Sequence, residues 1–339
     1  DTHFGCRNDS PAFMKYQNRF YEELFFPYLI ENNIKTLIHL GDVVDRRKFI
    51  NHNTAHNFKK KFWNKLEDLD IDTHILLGNH DTYYKNTNEI NAMDNLSLSK
   101  DIKIYREPKT VNFDGLDILF VPWIADDIME DSLHTIDGSQ AEIVMGHLEI
   151  KGFEMHKGFM NEHGLDKTAF HRFEKVMSGH FHKKSDDGQI YYLGTQYEIV
   201  WSDYKDPKGF HIFDTDTREL TRVSNPLRIF RKIYYNDTME DYDKVDISRF
   251  DKSFIKLFIT NKTDEDMFNR FVQRIYDTLT VYQLDIFEDT QDVNTSVPEI
   301  EQGEDTTTFL NNYIDHIETD LDKNKIKEKV KELYQEASE

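Results

Sequence analysis

The 339-residue chain predicts an α+β fold of two packed sheets with helices on the outside. Two observations lead there. In the first third, apolar residues three and four apart alternate with short apolar runs, a helix–strand rhythm that implies parallel pairing. Beyond about residue 100 the rhythm gives way to short strands separated by turns, two of which run directly into histidines.

Each element has its own reason. Phe13, Tyr16, Phe20 and Leu24 put one apolar stripe on a helix over 11–33, which Pro27 breaks or kinks because it lacks an amide hydrogen. Residues 35–40 form a buried strand that ends at Gly41-Asp42. Phe58, Phe62, Leu66 and Leu69 restore helical spacing over 53–70, and 74–77 is the next strand, ending in Gly78-Asn79-His80-Asp81. Strands follow at 116–123, 142–145, 175–177, 190–193 and 209–213. A small α/β module occupies 226–287: strands at 228–235 and 254–260, a helix through Met267, Phe268, Phe271, Ile275 and Leu279, and a closing strand at 281–287. Residues 288–305 hold no Lys or Arg and read as a flexible acidic linker. Two amphipathic stripes then follow, Phe309, Leu310, Tyr313, Ile314 and Ile317, and Ile326, Val330, Leu333 and Tyr334.

The formal charge is −21. A protein that grips nucleic acid unaided usually shows a basic face. The acidity means that metals supply the local positive charge or that a partner subunit helps, unless it only keeps the chain soluble. The single cysteine, Cys6, excludes an intrachain disulfide and fits a reducing, cytoplasmic setting. No apolar stretch is long enough to span a bilayer, and no signal peptide stands at the start. Asp1 already belongs to a polar cluster. A fold of this class places a strand before such a residue, so a short N-terminal strand is expected ahead of Asp1.

Five clusters carry the chemistry: Asp1-Thr2-His3, Gly41-Asp42-Val43-Val44-Asp45, Gly78-Asn79-His80-Asp81, Gly146-His147 and Gly179-His180-Phe181-His182. They offer carboxylates, an amide oxygen and imidazoles, ligands suited to two divalent metals side by side. Asp1 and His3 lie two apart and so on one side of an extended segment; alone, such a triplet is mostly accidental. The Asp42 carboxylate can bridge two cations, and Gly41 lets the backbone come close. Asn79 after a buried strand needs a partner for its amide oxygen. His80 can be a proton donor or can hold a ligand in place. Gly146-His147 alone is more often a core histidine than a ligand, whereas His180 and His182 sit on one face of an extended segment. His39, His56, His134 and His171 lack such companions and read as structural or surface residues.

Through all five clusters the sequence resembles the calcineurin-like metallophosphoesterases. Within them it is most similar to the SbcD-type DNA double-strand-break repair nuclease subunits in their bacteriophage form. The resemblance rests on Gly-Asn-His-Asp at 78–81, the paired Gly-His-x-His at 179–182, Tyr192-Leu193-Gly194-Thr195 and Lys208-Gly209-Phe210. It is strong over 1–215 and loose beyond. It implies a four-layer α/β/β/α sandwich at 1–225 and a capping domain at 226–287. The linker spans 288–305, and a helical segment at 306–339 docks on the coiled coil of an SbcC-type ATPase. In the implied site Asp1, His3 and His182 bind one metal, Asn79, His147 and His180 bind the other, and Asp42 bridges both. His80 faces the scissile phosphate, and the Asp45 carboxylate holds His80 in its tautomer. Mn²⁺ is the implied metal, with Mg²⁺, Fe and Zn open. The implied activity is DNA exonuclease and single-strand endonuclease, without a covalent intermediate, in a homodimer in the cytoplasm.

Other readings compete. Gly41-Asp42-Val43-Val44-Asp45-Arg46 also resembles protein Ser/Thr phosphatases, but Gly-Asn-His-Asp and the closely paired histidines depart from them. Small-nucleotide phosphodiesterases seldom need a cap, a linker and a docking tail. Non-catalytic scaffolds usually lose ligands, and here every ligand position is filled. The tail helices could instead fold back onto their own core. Arg7, Arg46, Arg47, Lys48, Lys183 and Lys184 could grip a DNA backbone, whereas Lys59-Lys60-Lys61 reads as a solvated helix face.

Overall fold

The computed structural model of the chain describes residues 1–96, 102–156, 159–288 and, further on, 314, 323, 325–327, 329 and 330. One compact unit runs from Asp1 to Val297 and a second from Pro298 to Glu339. The described residues of the second unit are helical. The acidic linker and the docking segment expected over 288–305 and 306–339 otherwise lie outside the described residues. No helix among the described residues is long and apolar enough to cross a membrane.

Strands β1 (Thr36–His39), β2 (Asp72–Leu76) and β3 (Lys103–Tyr105) form a parallel sheet with β2 in the middle. The second sheet uses β4 (Lys109–Phe113), β5 (Leu116–Val121) and β6 (Ile143–Gly146). A hairpin of β7 (Glu154–His156) and β8 (Phe159–Met160) follows outside it. The sheet is completed by β9 (Lys175–Ser178), β10 (Ser185–Asp186) and β11 (Ile190–Tyr192), in the order β10-β11-β9-β6-β5-β4. Its inner four strands are parallel and its edge strands antiparallel.

Strict alternation builds the layers. Ile118 and Phe120 join Ile143, Met145, Met177, Leu76 and Tyr105 between the two sheets. Their neighbours Leu119, Val121, Val144 and Val176 point the other way, onto Ile136, Phe170 and Phe173. Successive strand residues face opposite sides, so a run apolar at every position is buried on both. The far face of the first sheet, at Ile75 and Leu77, packs on Phe13, Phe20, Phe25, Phe58, Phe62 and Leu66 from the helical segments on either side of β1 in the chain. The order is helix, sheet, sheet, helix, an α+β sandwich. The free edge of β1 lines a cavity of about 470 Å³ together with Phe113, Met145, Met177, Phe210 and Phe213.

Pro27 does not break its helix. Helical backbone runs from Pro11 to Glu31, with a wider π turn at Tyr21–Phe25 just ahead of the proline. That turn gives the ring the room that a regular turn denies it. Sequence spacing passed over β3, β4, the hairpin β7–β8 and the helix Met129–Gly138. Strand β4, Lys-Thr-Val-Asn-Phe, is an edge strand with little buried surface and so lacks an apolar run.

The antiparallel pair β12 (Gly209–Phe213) and β13 (Leu220–Ser224) leads to β14 (Phe230–Asn236), β15 (Ser253–Asn261) and β16 (Val281–Phe287), a parallel three-stranded sheet. The helix Glu265–Thr278 covers it, capped by Asp264, whose carboxylate accepts the Met267 N–H at 2.9 Å. This module has its own core of Ile233, Tyr235, Ile255, Leu257, Phe268, Phe271 and Ile275.

Candidate metal centre

Four parallel strands, two from each sheet, end at one place. The chain leaves β1 through Gly41 to Asp42, β2 through Gly78 to Asn79 and His80, β6 directly to His147, and β9 through Gly179 to His180. Such carboxyl ends open onto a shared crevice. The glycines make room. A Cβ on Gly41, whose φ is 99°, would run into the His147 imidazole, and one on Gly78 into Asp42. His3, Asp42 and His180 themselves hold positive φ of 44°, 53° and 82°, strain of the kind concentrated at functional sites.

Among the described residues two groups of side chains can hold a cation, and they share Asp42. In one, ligand atoms of Asp42, His147 and His180 lie within 4.8 Å of one another. Asn79 joins them, its Oδ1 lying 2.9 Å from His147 Nε2 and 3.0 Å from His180 Nδ1. His147 Nδ1 sits 2.7 Å from the carbonyl of Leu40. A carbonyl only accepts, so in the neutral ring Nδ1 carries the hydrogen and Nε2 presents a lone pair. That lone pair faces Asn79 Oδ1 and, at 3.4 Å, Asp42 Oδ2. Three acceptors aimed at one another fit a cation between them. Burial, and then His147, push the His180 imidazole down to about 3, so its lone pair is available at neutral pH.

The other group is His3, Asp42 and His80, with ligand atoms within the same 4.8 Å. His3 Nε2 lies 3.1 Å from His182 Nε2, a pair that shares either one hydrogen or one cation. Asp42 Oδ1 accepts the His80 N–H at 2.8 Å. Burial alone would raise the Asp42 carboxyl, but the imidazoles of His147, His80 and His3 hold it well below the ordinary range. Asp1 stands beside the His147 and His180 group without belonging to it. Its carboxylate accepts the His180 N–H at 3.2 and 3.1 Å and lies 3.5 Å from His147 Nδ1.

Two placements differ from expectation. His80 joins His3 and Asp42, His182 meets the group through His3 Nε2, and the Asp1 oxygens are turned to the backbone of His180. Asp45 holds His80 by its backbone carbonyl, 2.6 Å from Nδ1, and not by its carboxylate. The carboxylate instead lies 3.3 Å from His3 Nδ1. Three of the expected cations near the site are engaged elsewhere: Arg46 with Asp9 and Asn8, Lys183 with Glu154, and Lys184 with Asp186.

Two residues had no role in the sequence reading. Asp81 brackets the loops: Oδ1 accepts the N–H of Val43 at 2.9 Å and of Val44 at 3.1 Å, and Oδ2 that of Gly78 at 2.9 Å. Burial, then Asp42, raises its carboxyl to about 6. Lys208 is fully buried and donates to the His182 carbonyl at 2.9 Å and to Asp203 at 2.6 Å, with Asp206 also at 2.9 Å. Against the downward push of burial, Asp203 and Asp206 keep its ammonium above the ordinary value. Lys208 stood in the Lys208-Gly209-Phe210 stretch that carries the resemblance, but nothing local announces its buried partners.

A family model described as calcineurin-like phosphoesterase matches residues 1–184. The chain is 31% identical over 318 residues to "Exonuclease subunit 1" of Enterobacteria phage T4, covering 92% of this chain and 90% of that protein. It is 22% identical over 209 residues to the SbcD subunit of nuclease SbcCD from Staphylococcus saprophyticus, covering 58% of this chain and 50% of the relative. The corresponding SbcCD nuclease subunit of Staphylococcus epidermidis is 25% identical over 198 residues, 55% of this chain and 52% of the relative. The chain thus spans about half the length of these two bacterial relatives.

Proposed function

The chain belongs to the calcineurin-like phosphoesterase family, and from that premise we propose that it is the metal-dependent nuclease subunit of a DNA recombination and repair complex. The observation that carries the reading is the pair of ligand groups joined at Asp42. The relatives named as an exonuclease subunit and as nuclease subunits support DNA as the substrate.

Asn79, His147 and His180 would hold one divalent cation, and His3 and His182, with Asp1 close by, the other. Asp42 would serve both. Bound there, two cations supply charge neutralisation of the diester and an activated water for in-line attack. The oxygen and imidazole donors suit Mn²⁺.

The protein's own groups do the rest. Asp42 stays ionised because imidazoles surround it. The Leu40 carbonyl fixes His147 with Nε2 inward. His80, pinned through Nδ1 to the Asp45 carbonyl, keeps Nε2 as the atom that can take up a proton and pass it to the leaving oxygen. No serine or cysteine nucleophile is required. Residues 306–339 would dock on a coiled-coil ATPase subunit, and the 226–287 module would help select the substrate beside the site. The setting is the cytoplasm, with a homodimer as the working form.

The test is incubation with Mn²⁺ and end-labelled DNA, against a phosphopeptide control. Release of nucleotides with the phosphopeptide untouched is expected. Dephosphorylation of the peptide with intact DNA would refute the reading.

A further inference from the structure

The loops that leave β1 and β2 carry aromatic rings that the core does not use. Phe49, Tyr83 and Tyr84 expose 60%, 38% and 49% of their surface. Among the described residues the other exposed aromatic side chains are Tyr234 and Tyr276, both on the 230–287 module. Large rings left in water beside a candidate site usually mark a binding surface.

Both loops are rooted at His80. Its Nδ1 is tied to the carbonyl of Asp45, and Asp81 takes the N–H groups of Val43 and Val44. Phe49 lies four residues beyond Asp45 and Tyr84 four beyond His80. The Cα atoms of both residues therefore lie within about 14 Å of that junction. The tyrosine loop is firmly built. Thr82 and Asn91 form an antiparallel bridge, and the Tyr83 N–H donates to the Ile90 carbonyl at 2.8 Å. The Asn88 amide donates to the carbonyls of Arg106 at 3.0 Å and Trp123 at 2.8 Å. Tyr83 and Tyr84 meet edge to face at 4.7 Å. Across the junction Phe49 carries the Arg46 guanidinium on its face at 4.3 Å.

We infer that Phe49, Tyr83 and Tyr84 form a stacking platform for unpaired bases of a DNA strand whose backbone passes His80. The inference rests on the nuclease reading and adds the residues that would receive the unpaired strand. An aromatic face accepts every base, so such a platform is indifferent to sequence. Arg46, Lys183 and Lys184 are engaged by carboxylates, so stacking is the attraction these loops offer a strand. A blunt duplex hides its base faces, so the platform selects single-stranded ends and gaps.

The experiment uses the full chain in EDTA, where nothing is cut, titrated with a single-stranded oligonucleotide carrying 2-aminopurine. Its emission reports stacking directly. The parent should bind it more tightly than a blunt duplex of the same length. The double variant Tyr83→Ala/Tyr84→Ala should bind it at least about fivefold more weakly. Tyr84→Phe should keep the parent's affinity, because the ring and not the hydroxyl stacks. In parallel, hydrolysis with Mn²⁺ is compared on the oligonucleotide and on bis(p-nitrophenyl) phosphate. The double variant should lose at least about fivefold more on the oligonucleotide than on the small diester. Unchanged oligonucleotide affinity in the double variant, or equal affinity of the parent for duplex and single strand, overturns the platform. A parent that hydrolyses neither diester overturns the nuclease reading instead, and the EDTA titration still decides the platform.

Discussion

Lys208→Met removes one ammonium and keeps an apolar stem of similar length. In the parent the three ammonium donors face three acceptors: the His182 carbonyl at 2.9 Å, Asp203 at 2.6 Å and Asp206 at 2.9 Å. The Lys208 side chain is 0% exposed, Asp203 5% and Asp206 17%. Taking away the cation strands two carboxylates where water scarcely reaches. Breaking a buried ion pair from one side costs about 3–5 kcal/mol. Unfolding entropy of about 2 cal/mol/K per residue, summed over the unit Asp1–Val297, is about 0.6 kcal/mol/K. The melting midpoint should therefore fall by about 5–8 °C, read by circular dichroism. The clamp also fixes the carbonyl of a candidate ligand, so affinity for an added divalent cation such as Mn²⁺ should fall about 10–100-fold, read by titration calorimetry. Adding Asp203→Asn should return part of the lost stability. A variant that melts with the parent and binds Mn²⁺ as tightly would refute the argument that this buried cation holds the site.

Two further substitutions separate roles. His80→Ala should lower turnover about 10²–10⁴-fold while metal analysis still finds both sites filled. Loss of one metal would make His80 a ligand, which its place beside His3 and Asp42 allows. Glu198 is buried, accepts the N–H of Ile229 at 2.7 Å and of Phe230 at 3.0 Å, and is raised by burial from 4.5 to about 7. A folded value above the unfolded one means stability that is complete below about 4.5 and fades as pH rises through 7, by about 3 kcal/mol in all. Glu198→Gln should flatten that slope in denaturant titrations at pH 5 and 8, and equal slopes for parent and variant would show that the carboxyl does not titrate in this window.

Much of the architecture was readable because it is periodic. The stripe Phe13, Tyr16, Phe20 and Leu24 follows a helix, and the unbroken apolar run at 118–121 is what a strand covered on both faces requires. Elements without an apolar period, such as the edge strand Lys109–Phe113, left no trace to read. The π turn before Pro27 was equally silent, since it depends on how one helix accommodates one ring.

The same division holds at the site. Which residues belong there was decided by residue type and by their position at the ends of strands, and both are properties of the linear chain. Which atom of each does what was decided by folding. Asp1 meets His180 across 179 residues and Lys208 meets His182 across 26. Contacts between residues so far apart have no local spacing to announce them. Asp45 offers a carboxylate in the sequence but works on His80 through its carbonyl, because only the packed loops set the direction of a backbone oxygen. Chain chemistry named the donors, and the pairing of two sheets at their carboxyl ends chose the geometry in which those donors meet.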